Sequence, residues 1–222
     1  MLVERSMHPV WLSNAFLVAA ERGGTAVFVD TGAPLDPILD AVERYRVKPV
    51  RLLITHGHPD HVDGNDELLQ HFPVEVSQES FETEDLQVEA LPTPGHSDDG
   101  VSYVVNRKLV LSGDTLFKNA VGGGNAEQVR HSVMEVLMKL PPEVRVLPGH
   151  TDTTTIGREW EENPFVLYWR GVAGEDGRRC RIGEREGTVL VWSPDYDEKG
   201  KLLVRFDDGD EAIVGASRAE LS

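Results

Sequence analysis

Short apolar runs separated by polar turns organise the first half of the chain. Residues 14–20 read as a strand, Glu21-Arg22-Gly23-Gly24 as a turn, and Thr25–Val29 as the returning strand of a hairpin. Residues 36–46 carry Ile38, Leu39, Val42 and Tyr45 at the spacing of one helical face, and Lys48-Pro49 ends that helix. Val50-Arg51-Leu52-Leu53-Ile54 is a hydrophobic run that reads as a buried strand, and residues 63–72 can be helical. Residues 74–76 and 86–91 alternate like half-buried strands, with an acidic, exposed stretch at 78–85 between them. Val101–Val105 and residues 109–111 form a second hairpin around Asn106-Arg107-Lys108. Gly122-Gly123-Gly124 reads as a flexible loop. Residues 128–140 place Val129, Val133, Val136, Leu137 and Leu140 on one helical face closed by Pro141-Pro142, and residues 144–147 form a short strand. Strands alternating with helices define an α/β protein.

The pattern changes at Gly171. Residues 171–177 have the composition of a linker. Beyond them, residues 188–192, 202–206 and 211–214 are strand-like, separated by turns at 195–200 and 207–210. The expected organisation is therefore a main domain over residues 1–170 and a small β-rich domain over 171–222. The second part is too short to bury much core by itself. It is expected to lean on the first through Trp192 and Phe206, with Tyr168 and Trp169 as receiving aromatics, and to serve stability or a homodimer contact rather than catalysis.

Bulk properties narrow the function. A formal net charge of −16 over 222 residues disfavours nucleic acid and anionic membranes as partners. The single cysteine, Cys180, excludes an intramolecular disulfide and leaves any metal near the histidine motifs to N and O ligands. No apolar run is long enough for a membrane span, and the first residues lack the apolar core of a signal peptide, so a cytoplasmic location is expected.

The chemistry concentrates in Thr55-His56-Gly57-His58-Pro59-Asp60-His61, on the loop after the 50–54 strand. Gly57-His58-Pro59-Asp60 has good turn chemistry of its own. Four metal-capable side chains in six residues nevertheless point to Zn, Fe or Mn. Three landmarks follow: His96 in Thr93-Pro94-Gly95-His96-Ser97, Asp114 in Ser112-Gly113-Asp114-Thr115, and His150 in Pro148-Gly149-His150-Thr151. The remaining histidines, His8, His71 and His131, belong to no such motif and read as ordinary surface or satisfied residues.

Together these motifs resemble the metallo-β-lactamase superfamily, in its glyoxalase II-like (hydroxyacylglutathione hydrolase-like) branch, over residues 14–165 but not over the tail. The resemblance implies an αβ/βα sandwich, here with a small C-terminal β appendage. It implies two divalent metal ions, Zn first with Fe or Mn as alternatives. His56, His58 and His96 resemble the ligands of one ion, Asp60, His61 and His150 those of the other, and Asp114 the bridging carboxylate. It further implies hydrolysis of a small-molecule thioester or related ester by a metal-bound hydroxide, with Asp60 also able to orient the water. Asp30 either supports the metal loop from behind, as in the family, or merely starts a turn. Lys118 and Arg158 are candidates to meet a substrate anion, or are solvated charges. The rival readings are a mononuclear iron persulfide dioxygenase using His56, His96 and Asp114, a lactonase, and a non-enzymatic metal-dependent binding module.

Overall fold

In the computed structural model, which describes residues 1–196 and 199–222, β1 (Leu2–Met7) runs antiparallel to β2 (Asn14–Ala19). The turn expected over 195–200 lies partly outside the described residues, at Asp197 and Glu198. β2 continues antiparallel to β3 (Thr25–Val29), followed by parallel β4 (Lys48–Leu53) and β5 (Glu75–Ser77), giving a five-stranded mixed sheet in the order β1-β2-β3-β4-β5. The sequence pattern does not predict β1, because LVERSM lacks a sustained apolar alternation and the strand lies at the sheet edge.

The chain divides into two compact units. The first comprises Met1–Pro92, Val101–Gly113 and Leu147–Thr151, and the second Thr93–Gly100, Asp114–Val146 and Asp152–Ser222. In the first unit, α1 (Asp36–Tyr45), α2 (Pro59–Val62) and α3 (Asn65–His71) connect the strands of the mixed sheet. A second sheet is antiparallel: β6 (Phe81–Glu82), β7 (Gln87–Pro92), β8 (Val101–Val105) and β9 (Leu109–Gly113).

The period-2 alternation of β2 and β3 decides the layering. Phe16, Val18, Val27 and Val29 join Val88, Tyr103, Leu109 and Leu111 of the second sheet in one buried cluster. Ala15, Leu17, Ala26 and Phe28 face the opposite way and pack with Ile38, Val42 and Leu68 of α1 and α3. Both faces of the central strands are buried, as a sheet covered on each side requires.

In the second unit, β10 (Gly124–Asn125) leads directly into α4 (Ala126–His131), capped by the Asn125 side chain, which accepts from the Gln128 backbone N–H. The single helix expected over 128–140 is not continuous. A π-helical turn follows at Ser132–Val136 and a 3₁₀ turn at Leu137–Lys139. Its buried residues Val129, Val133 and Leu137 recur every fourth position, a spacing wider than the α-helical period, and the widened turn keeps them on one face. The chain continues with β11 (Arg145–Pro148), β12 (Thr154–Thr155), α5 (Ile156–Glu162) and α6 (Pro164–Trp169).

β13 (Arg179–Ile182), β14 (Arg185–Ser193), β15 (Lys201–Phe206), β16 (Glu211–Gly215) and β17 (Glu220–Leu221) complete a sheet in the order β10-β16-β15-β14-β13-β17. Cys180, Val189, Leu202, Val204 and Phe206 form its core. Trp192, expected as a buried anchor, is 43% exposed. The register of β14 against β15 shifts between Val189 and Val191, and such an irregularity resets which side chains face inward. The Gly122-Gly123-Gly124 stretch, read as a flexible loop, is tied down at its end. Gly124 and Asn125 pair with Ile213 and Ala212 of β16.

Candidate metal centre

The 56–61 motif lies where the sequence placed it, after β4. His58 caps α2 with extended backbone, Pro59 supplies the fixed φ suited to a first helical position, and α2 carries Asp60 and His61. His56 and His61 are buried, whereas the Asp60 side chain is 27% exposed. His56 Nε2 lies 3.0 Å from His58 Nδ1, and the His56 and His61 rings are 4.2 Å apart. His150, brought in by the loop after β11, stands with Nε2 3.4 Å from Asp60 Oδ2, and His61 Nε2 is 3.8 Å from the same oxygen. Ligand atoms of Asp60, His61 and His150 all fall within 4.8 Å of one another.

This loop is held from beneath by Asp30. Its carboxylate accepts from the Thr55 backbone N–H at 2.8 Å and from the Thr55 hydroxyl at 2.7 Å, and its Oδ2 is 2.8 Å from His61 Nδ1. Asp30 adopts left-handed backbone at φ 55°, a region that Asp enters more readily than most residues. The two residues after it complete the support. Thr31 donates its N–H to the His61 carbonyl at 2.7 Å, and Gly32 passes so close to Asp60 that a Cβ there would overlap the Asp60 carbonyl.

His150 is oriented differently. Its Nδ1 lies 3.0 Å from the carbonyl of Trp11. A carbonyl only accepts, so the Nδ1 carries the proton and Nε2, on the Asp60 side, is the basic nitrogen. The turn that delivers Trp11 is built by His8, whose Nδ1 accepts from the N–H groups of Val10 and Trp11 and whose ring stacks on Trp11 at 4.6 Å. His8 thus has a local structural role.

In the second unit His96 and Asp114 come together, with His96 Nε2 3.5 Å from Asp114 Oδ2. His96 Nδ1 donates to the Gly123 carbonyl at 2.8 Å, which leaves Nε2 basic by the same argument. The donor chemistry in both units is imidazole nitrogen beside carboxylate oxygen, which fits Zn, Fe or Mn and not a thiolate-selective metal.

Lys118 and Arg158 also lie in the second unit. The Lys118 side chain is 41% exposed, with Nζ 3.6 Å from Asp152. Arg158 is engaged along its own helix, donating to Glu159 at 2.6 Å and pairing with Glu162 at 2.7 Å. Glu159 is fully buried. It also accepts from the Thr154 hydroxyl, the Asn119 N–H and the Asn163 amide, so the Arg158–Glu159 pair belongs to a network joining α5 to the 117–120 loop.

Known proteins resemble this chain in sequence and in fold. The family profile of the metallo-beta-lactamase superfamily matches residues 8–77 and 74–150. The probable polyketide biosynthesis zinc-dependent hydrolase BaeB of Bacillus velezensis is 27% identical over 183 residues, covering 71% of this chain and 81% of its own. The probable hydroxyacylglutathione hydrolase glo2 of Schizosaccharomyces pombe is 30% identical over 175 residues, covering 65% and 68%. Among solved structures, TTHA1623 in a di-iron-bound form superposes with a TM-score of 0.60 at 28% identity, covering 72% of this chain and 98% of that one. The chain belongs to the metallo-β-lactamase superfamily and has its α/β fold. It is a metal-dependent hydrolase of that superfamily, whose members bind divalent metals.

Reading the residues alone missed the groups that orient the candidate histidines. The Trp11 and Gly123 carbonyls are backbone atoms with no residue signature. Gly32 carried a legible signal, a glycine just after Asp30-Thr31 at a strand end, but its partner Asp60 is distant in sequence. No helix of the described residues is long and apolar enough to cross a membrane.

Proposed function

We propose that this metallo-hydrolase works with two divalent ions and cleaves a small thioester or related ester. His56, His58 and His96 are assigned to one ion, Asp60, His61 and His150 to the other, and Asp114 to both. The assignment across the two units rests on the order of the motifs in the family. Within each unit it is supported by the His56–His58 contact, the Asp60–His61–His150 group and the His96–Asp114 pair.

The observation that carries the reading is the Asp60–His61–His150 group. A mononuclear iron site made of His56, His96 and Asp114 leaves this second set, with its Asp30 and Trp11 supports, without a task. When bound, the ions supply Lewis-acid polarisation of the substrate carbonyl and a water acidic enough to react near neutral pH. The chain's own residues supply the orientation. Asp30 and the Trp11 carbonyl fix His61 and His150. Asp60, more exposed than the buried His61 and His150, is assigned to hold a proton of the attacking water. Lys118 is the cation offered to an anionic group of the substrate.

Zinc is assigned first from the imidazole and carboxylate donors, a choice supported by the relative named as a zinc-dependent hydrolase; iron follows from the di-iron form of TTHA1623. Metal analysis of protein purified without added metal, paired with activity assays, tests the reading. Two ions per chain and anaerobic cleavage of a hydroxyacyl thioester are expected. One tightly held iron, with oxygen-dependent turnover of glutathione persulfide, would replace it by the dioxygenase.

A further inference from the structure

The segment between Asp114 and Asn125 is bounded by metal-site groups: Asp114 at its start and, near its end, the Gly123 carbonyl that accepts from His96 Nδ1. Nothing in that segment is a regular element until Gly124. Besides Glu159 of α5 and Asn163 at the end of that helix, which bind Asn119 and Ala120, the C-terminal sheet and its β14–β15 loop hold it at four points spaced along its length. The Ser193 hydroxyl at the end of β14 donates to the Asn119 carbonyl at 2.5 Å. The Tyr196 ring meets Phe117 edge to face at 5.5 Å. Gly124 and Asn125 pair with Ile213 and Ala212 of β16. Lys201, the first residue of β15, reaches the remaining stretch, where a Cβ built on Gly123 would come to 3.9 Å from Lys201 Nζ and 3.3 Å from the Ile213 carbonyl.

Lys201 is unusual for its charge. It is only 8% exposed and pairs at 2.8 Å with Asp195, whose side chain is also buried, while its ammonium lies within 6 Å of the Phe117 and Tyr196 rings. A buried ion pair is costly to desolvate and a poor way to gain stability, so its worth lies in registering one segment against another. Here the registered segment is the one that presents a ligand-orienting carbonyl. Gly124 shows how narrow that register is. It sits at φ 142°, and a Cβ there would overlap the Gly95 carbonyl beside His96. A shift of the 117–124 segment therefore moves the Gly123 carbonyl relative to His96.

We infer that the C-terminal β sheet is a positioning element of the metal site, and that Lys201 is a positioning residue that sets the orientation of His96 through Gly123. The inference rests on the assignment of His96 as a metal ligand under the proposed function. Groups that orient a metal-bound histidine from behind commonly change metal affinity by about 10–100-fold when removed. The family profile ends at residue 150, so β13 to β17 lie beyond the matched region while β10 lies within it.

The full-length protein with Lys201→Met, compared with Lys201→Arg, tests this. Zinc affinity is read by chelator competition, and ligand geometry by the visible spectrum of the cobalt-substituted protein. Lys201→Met is expected to weaken one of the bound ions about 10–100-fold and to change the cobalt spectrum, with Lys201→Arg recovering most of both. A folded Lys201→Met protein with unchanged zinc affinity and cobalt spectrum, and only a lower Tm, would overturn the inference. Where Lys201→Met does not fold, Ser193→Ala, which removes the hydroxyl that holds the Asn119 carbonyl, decides by the same cobalt spectrum: a changed spectrum supports the inference and an unchanged one overturns it. Failure of the unsubstituted protein to bind zinc or cobalt would instead remove the metal-hydrolase reading on which the inference stands.

Discussion

Asp30 Oδ2 lies 2.8 Å from His61 Nδ1 while the same carboxylate accepts both the N–H and the hydroxyl of Thr55. One buried side chain therefore sets the start of the 55–61 loop and the tautomer of a histidine near its end. Asp30→Ala is expected to lower metal affinity about 10–100-fold, as removal of groups behind a metal-ligating histidine generally does. It is also expected to cost about 1–3 kcal/mol of folding stability, because the buried Thr55 donors lose their acceptor. Chelator competition and denaturant unfolding measure the two effects. Unchanged metal affinity in a folded variant would reduce Asp30 to a turn residue.

His150 and Asp114 differ in the number of ions they are proposed to touch. His150→Ala is expected to release mainly one ion, and Asp114→Ala to weaken both together, since a shared carboxylate neutralises charge between them. Metal content after dialysis against a weak chelator distinguishes the two variants. Full metal content and activity in Asp114→Ala would refute the bridging assignment.

Arg158 is bound into the Glu159 network and pairs with Glu162. Removing the guanidinium leaves a fully buried carboxylate with three neutral donors, so Arg158→Ala is expected to destabilise the fold by about 1–3 kcal/mol. KM should stay within a factor of about two, since a loss smaller than about 0.4 kcal/mol of binding is all that factor represents. A large rise in KM at unchanged stability would return Arg158 to the substrate.

Asp85 links acid pH to the stability of the first unit. Hydrogen bonds from the Thr25 side chain and backbone N–H hold its carboxyl below the ordinary value, against the opposing effect of burial. A group whose folded pKa is depressed adds stability above its unfolded pKa and loses it as pH falls through the folded one. Asp85→Asn should therefore be less stable than the parent at neutral pH, and the gap should narrow as pH drops below the normal carboxylate range. Urea midpoints for both proteins across that range give the comparison. A gap constant with pH would show that the charge of Asp85 contributes nothing.

The chain's own pattern was enough for most of the first unit. β2, β3, β4 and β8 follow from short apolar runs bounded by turn residues and α1 from helical spacing, local patterns that need no partner to be read. The His56–His61 cluster stands out for a related reason: metal-capable side chains adjacent in sequence on a strand-to-helix loop need little folding to meet. β1 and the break in the 128–140 helix were not legible. One is an edge strand with weak alternation, and the other is a widened turn whose every-fourth apolar positions, Val129, Val133 and Leu137, an ordinary helical reading also accommodates.

Residue identity names the candidate side chains: His56, His58, Asp60, His61, His96, Asp114 and His150 each stand in a motif. Only the tertiary structure decided how they are aimed. The Trp11 carbonyl behind His150 and the Gly123 carbonyl behind His96 are backbone atoms that any residue possesses, so no letter in the sequence marks them. The tail shows the same division. Its strands were written in the alternation of residues 188–214, but the burial of Lys201 against Asp195, beside the Gly123 segment, depends on where β15 comes to rest, and long-range packing sets that.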